Sequence, residues 1–141
     1  MMTLREKLER ALAIAPFSEI YRYALVSAED GCCTIATSVW ASSGATTRNH
    51  RRSRAYGCRS VCMWLALQSR FEDRSAVTSS MDTHFLRKAS DSDLLCRARI
   101  IRAGRRLVFE IAECSLNSGE LLSYHTVTYM RNMDRLCEGS Q

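Results

Sequence analysis

The sequence predicts an α+β domain in which a helix covers one face of an antiparallel sheet. Segments between Ala76 and Met130 alternate apolar and polar residues with the period of a half-buried strand. Short turns containing Gly, Asn and Ser separate them, and just upstream the stretch Ser60 to Phe71 is apolar at helical spacing.

From the N-terminus, Thr3 to Ala15 reads as an amphipathic helix. Thr3 caps it with Glu6 at the capping-box position, Leu4, Leu8, Ala11 and Leu12 form its stripe, and Pro16 ends it. Tyr21 to Val26 and Cys33 to Trp40 flank Glu29-Asp30-Gly31, which predicts a hairpin. In the covering helix, Val61, Trp64, Leu65 and Gln68 share a side.

The first strand of the C-terminal half, Ala76 to Leu86, sets Val77, Ser79, Met81, Thr83 and Phe85 against Thr78, Ser80, Asp82 and His84. Lys88 to Asp93 is polar and reads as a turn. Next, Leu94, Cys96, Ala98 and Ile100 alternate with Leu95, Arg97, Arg99 and Ile101, and Ala103-Gly104 stands at hairpin length, where glycine can supply a positive φ. Leu107, Phe109 and Ile111 are the expected apolar face of the strand that follows, up to about Cys114. After the turn Asn117-Ser118-Gly119, Leu121 to Met130 sets Leu122, Tyr124, Thr126 and Thr128 against Leu121, Ser123, His125, Val127 and Tyr129. These four strands are expected to neighbour one another in chain order, with the helix covering their apolar face.

At 141 residues the chain is expected to be one domain with a real but small core. One proline, six glycines and 46% hydrophobic residues argue against disorder. No apolar run reaches the length of a membrane span, and the charged N-terminal helix is unlike a signal peptide, so no membrane partner is expected. The seven cysteines are odd in number and lack Cys-x-x-Cys spacing, which indicates neither a disulfide framework nor a zinc site and points to a reducing cytoplasm. No metal and no cofactor is expected.

Charge is concentrated. The chain has 20 Lys and Arg against 15 Asp and Glu. Arg48, Arg51, Arg52, Arg54 and Arg59 lie in one stretch without an acid and account for the excess. The stretch reads as a solvated loop that would be covered by an anion, if by anything. Phosphates of coenzyme A suit arginine's bidentate geometry. Nucleic acid is the alternative anion and is disfavoured, since Tyr56 is the only aromatic interleaved with the arginines. A second basic cluster, Arg102, Arg105 and Arg106, falls at a hairpin tip.

The segment Ala76-Val-Thr-Ser-Ser-Met-Asp-Thr-His-Phe-Leu-Arg-Lys-Ala89 resembles a strand that opens with Val-Thr and closes with Phe-Leu-Arg-Pro-Ala in hotdog-fold acyl-CoA thioesterases of the phenylacetate-pathway type. Asp93 to Arg106, with its arginine-rich turn, and Ser118 to His125 extend the resemblance, which covers residues 76–130 best. It implies a hotdog fold, in which an antiparallel sheet wraps a long central helix. It also implies a homodimer or dimer of dimers, and thioester hydrolysis in a groove between subunits. The alternative is a hotdog protein that binds acyl-CoA or serves structurally without hydrolysing it.

The family's active-site segment is matched only in part. Asn49 and Gly57 can be aligned, with Tyr56 where relatives often carry His or another aromatic. The carboxylate expected on the central helix falls at Leu65, and the whole stretch Asn49 to Leu67 departs from the family in composition. By resemblance, a backbone N–H of Gly57 or Cys58 at the helix start polarises the carbonyl, while Asn49 and the strand hydroxyl of Thr78 assist water. His50 is the nearest imidazole to this segment. Tyr56, Cys58, Arg87, Arg102 and Arg105 complete the expected substrate contacts. Asp82 and His84, and Glu72 and Asp73 beyond the helix, are the remaining titratable candidates.

Overall fold

A computed structural model describes residues 2–13, 23–37, 48–71, 76–87 and 93–131; over 48–57 it describes the backbone, and the side chains there lie outside the described residues. The elements run α1 (Leu4–Ala13), β1 (Tyr23–Glu29), β2 (Cys32–Thr37), α2 (Arg48–Arg70), β3 (Val77–Phe85), β4 (Leu94–Ala103), β5 (Leu107–Leu116) and β6 (Leu121–Met130). All six strands form one antiparallel sheet in the order β1-β2-β4-β5-β6-β3, with α2 packed on its inner face. This is the hotdog arrangement.

Local patterns held where they involve neighbours in sequence. Thr3 caps α1 as expected: Glu6 N donates to Thr3 Oγ1 at 3.1 Å and Thr3 N donates to a Glu6 carboxylate oxygen at 3.4 Å. Leu8 and Leu12 are buried, and Arg5 donates to the Leu25 and Val26 carbonyls where β1 bulges. At the β1–β2 turn Gly31 has φ 78°, and its N–H donates to Ser69 Oγ at 2.8 Å, tying the turn to the end of α2. The expected ends of α1 at Ala15 and Pro16, of β1 at Tyr21 and of β2 at Trp40 lie outside the described residues, as do Lys88 to Ser92 of the expected turn.

Four expectations are corrected. First, β4, β5 and β6 form a meander, but β3 lies beyond β6 at the sheet edge, and β4 pairs with β2 instead. The polar β3 is exposed over most of its length, which suits an edge, whereas the alternating apolar set of β4 fits under the helix. Alternation within a strand says which face is buried and nothing about its neighbour. Second, the arginine stretch is helical: α2 begins at Arg48 rather than Ser60. Arg, Ala and Ser are tolerable helix residues and no proline intervenes, so clustered charge did not break it.

Third, the faces of β5 are reversed. Val108, Glu110, Ala112 and Cys114 are buried, while of the expected set Ile111 is buried as well but Leu107 and Phe109 are 50% and 38% exposed. The phase is set across the sheet, where Cys96 opposes Cys114 and Ala98 opposes Ala112, and a register shift between Ile100 and Arg102 lets the hairpin close. Fourth, Gly104 has no positive φ. Its N–H donates to Leu107 O at 2.8 Å, and a Cβ there would stand 3.0 Å from that oxygen, so glycine serves close approach.

The core lies between α2 and the inner face of the sheet. Cys58, Val61, Cys62, Met63, Leu65, Ala66 and Leu67 of α2 meet Cys33 and Ile35 of β2, Cys96 and Ala98 of β4, and Val108, Ala112 and Cys114 of β5. Trp64 is only half-buried, so the helix is apolar on more sides than the single expected stripe.

Candidate functional site

Alternation on β6 points Ser123, His125, Val127 and Tyr129 inward, and all four are buried. The β3–β6 pairing sets Thr83 opposite His125 and Phe85 opposite Ser123. Arg59, 9% exposed, reaches across from α2. These residues make one hydrogen-bonded chain. Arg59 Nη1 donates to Thr83 Oγ1 at 2.7 Å and Nη2 to Ser60 Oγ at 3.1 Å. Thr83 Oγ1 lies 3.0 Å from His125 Nδ1, and Ser123 Oγ lies 2.7 Å from His125 Nε2.

The donors available fix how neutral His125 is held. Arginine can only donate, so the Thr83 oxygen accepts from Arg59 and its own proton is left to donate to Nδ1. Nε2 then carries the ring proton and donates to Ser123 Oγ, an assignment made from the network. The result is an alcohol hydrogen-bonded to an imidazole base, with the base oriented by a third group and a fixed cation on the alcohol oxygen. Such a constellation activates an oxygen nucleophile and stabilises charge on oxygen. Ser123 and His125 have no exposed surface, while Thr83 is half-buried on the edge strand, which makes it the hydroxyl of this network that a ligand can approach.

Beside this network lies an unpaired carboxyl. Glu110 is fully buried at the centre of β5, and neither of its oxygens has a hydrogen-bond partner. It opposes Val127, diagonal to His125, at a separation of about 7–8 Å for such pairs. Burial, then repulsion from Cys62, pushes its carboxyl from 4.5 up to about 9, so it is protonated at neutral pH. Burial and Glu110 in turn raise the Tyr129 phenol.

Thiols fill the rest of the inner face. Cys62 Sγ donates to the Cys33 and Cys96 carbonyls, each at 3.2 Å, and Cys114 Sγ lies 3.1 Å from Cys96 Sγ. Cys58, fully buried, has its thiol held well above the ordinary range, first by its hydrogen bond with Cys114. It is therefore packed core and lacks the exposure of a substrate contact or nucleophile. Among the described residues no group of three or more His, Cys, Asp or Glu side chains is placed to hold a metal ion.

The residues expected from the sequence are dispersed. Asn49, His50, Tyr56 and Gly57 fall within the N-terminal half of α2, where the side chains lie outside the described residues. Gly57 and Cys58 are well inside this helix. Interior N–H groups are committed to carbonyls four residues back, so neither amide stands open at a helix start. Thr78 is exposed, and a bulge between Thr78 and Ser80 turns it to the Thr83 side of β3, opposite Tyr129, rather than to the side of Asp82 and His84. It stands about 16 Å along the strand from Thr83. Asp82 and His84 are exposed on the outer face. Arg87 is exposed and paired with Glu120 at 3.6 Å, Arg102 and Arg105 are exposed at the β4–β5 hairpin, and Glu72 and Asp73 lie outside the described residues.

Thr83, Ser123, His125 and Glu110 were not singled out from the sequence as site residues, and Arg59 was noted only as one of the five arginines of the basic stretch. A histidine on the same alternating face as Val127 and Tyr129 was the available signal for His125. Glu110 was masked by the apolar alternation of Leu107, Phe109 and Ile111, of which only Ile111 is buried.

A family model described as thioesterase superfamily matches residues 57–111. No curated protein matches the chain in sequence. Solved structures do match in fold. A conserved protein of Pseudomonas aeruginosa is 24% identical with a TM-score of 0.70, covering 87% of this chain and 98% of that one. The PaaI protein from the phenylacetic acid degradation operon of E. coli is 12% identical with a TM-score of 0.76, covering 92% and 93%. Zebrafish thioesterase superfamily member 2 is 19% identical with a TM-score of 0.76, covering 94% and 100%. The chain thus has the hotdog fold of these proteins and, over residues 57–111, the sequence pattern of the thioesterase superfamily.

Proposed function

We propose that this protein hydrolyses an acyl-CoA or related thioester, with the Arg59–Thr83–His125–Ser123 network as its reactive centre. The observation that carries this reading is the Thr83–His125 contact of 3.0 Å, buttressed by Arg59 at 2.7 Å, on a fold and sequence pattern shared with thioesterases. Hydrolysis needs a polarised carbonyl and a base, and Arg59 and His125 supply one each. The helix α2 contains no Asp or Glu, and in this reading His125 on the sheet takes the place of a helix carboxylate as the base.

A second copy completes the groove. The edge strand β3 is exposed from Val77 to Ser80 and, among the described residues, has a strand neighbour on one side only. Pairing with β3 of another copy, related by a two-fold axis, would extend the sheet and bring the interface beside Thr83. Within this homodimer, Thr78 would line the groove, and Arg102 and Arg105 would meet coenzyme A phosphates. Six free thiols among the described residues suit a reducing, cytoplasmic setting.

The test is thiol release from a panel of short-, medium- and long-chain and aromatic acyl-CoAs, with the mass of the species in solution measured alongside. Turnover of at least one thioester by a dimer or larger assembly is expected. Tight acyl-CoA binding without turnover would favour the binding protein, a reading prompted by the missing helix carboxylate.

A further inference from the structure

The geometry points to a covalent route, resting on the thioester reading above: Thr83 is the nucleophile, His125 its base, and Arg59 the group that receives the oxyanion. The choice of Thr83 follows from position. Ser123 contacts the same imidazole but is fully buried, and Cys114, also fully buried, packs against Cys96. Thr83 alone joins the base to the exposed edge of the sheet. A water acting directly would have to displace the Thr83 hydroxyl from His125 Nδ1, because Nε2 is already held by Ser123.

The reaction balances with the groups present. His125 Nδ1 accepts the hydroxyl proton as Thr83 Oγ1 bonds to the carbonyl carbon, and the carbonyl electron pair moves to its oxygen, where the Arg59 guanidinium faces it. The pair returns, the carbon–sulfur bond breaks, and the departing thiolate takes the proton from His125. Water then gives a proton to Nδ1 and attacks the threonyl ester. Breaking the bond between the acyl carbon and Oγ1 restores the Thr83 hydroxyl with that proton and frees the carboxylic acid. Ser123 is a positioning residue, accepting from Nε2–H and keeping Nδ1 turned to Thr83.

The experiment is single turnover of the full chain with the acyl-CoA it cleaves fastest, quenched on the millisecond scale and followed by intact-mass and peptide mass analysis. One acyl group is expected on the peptide carrying Thr83. Thr83→Ser should carry the adduct on the new hydroxyl, whereas Thr83→Val should form none and lose about 10²–10⁴-fold in thiol release. His84→Gln, on the outer face, should match the wild type. Ser123→Ala should lower kcat with KM unchanged. Absence of an adduct at Thr83 in the turning-over wild type, an adduct on another residue, or a folded Thr83→Val retaining turnover within about threefold would overturn the covalent route. Failure of every thioester to react would instead remove the proposed function itself.

Discussion

Replacing Glu110 with Met is expected to raise the unfolding free energy at pH 7 by about 3 kcal/mol. In the unfolded chain this carboxyl titrates near 4.5, and in the fold burial holds it near 9. Between those values the unfolded chain has released a proton that the folded chain keeps. The unfolded state therefore binds fewer protons, and stability falls as pH rises through the window, by up to about 1.4 kcal/mol per pH unit. At pH 7 roughly 2.5 units of the window have been crossed, which gives the 3 kcal/mol. Methionine removes the titration, fills a similar volume and leaves no unpartnered polar atom. Urea titrations of both proteins at pH 5, 7 and 8.5 should show a difference that widens with pH. A difference of constant size would mean that Glu110 is paired in solution or is not buried.

Replacing Arg59 with Met is expected to lower kcat/KM for thioester hydrolysis about 10²–10³-fold, the loss seen when one preorganised donor to an oxyanion is removed. The guanidinium is the fixed positive charge touching the Thr83 oxygen, and it lies in a site with almost no solvent. Electrostatic stabilisation there is worth more than at a surface. Stability should change in the other direction or little, since exchanging a buried charge for an apolar side chain of similar volume relieves desolvation. Loss of activity with retained stability separates a chemical role from a structural one. Lysine at the same position should recover only part of the rate, because one ammonium cannot fork to Thr83 and Ser60 as Nη1 and Nη2 do.

What could be read from the sequence was whatever depends on near neighbours along the chain. The Thr3 and Glu6 cap, the Asp30-Gly31 turn and the alternation of β4 and β6 are local, and each appeared as expected. Properties settled across the sheet were not legible. The edge position of β3 depends on the competing claim of β4 on β2, and the inward face of β5 depends on its register with two neighbours. A single bulge moved Thr78 to the other side of its strand. The helical arginine stretch escaped because charge density was taken to oppose helix formation, whereas arginine has good helix propensity.

The network proposed as the reactive centre was hidden for the same reason. Arg59, Thr83 and His125 come from three elements, and 24 residues separate Arg59 from Thr83 and 42 separate Thr83 from His125. No motif spans such distances. The resemblance to thioesterases identified the fold and directed attention to the family's helix segment, where this chain differs most. That segment lacks a carboxylate; the proposed centre instead joins Arg59 of α2 to Thr83 and His125, which the pairing of β3 with β6 sets side by side.

Thiol release by His125→Gln, measured beside the wild type on the preferred acyl-CoA and with both proteins shown to be folded, is the most direct test that hydrolysis is carried out by this network. A rate at least about 10²-fold below the wild type is predicted, the usual loss for a general base. Equal rates in the two proteins would contradict it and place the chemistry elsewhere in the molecule.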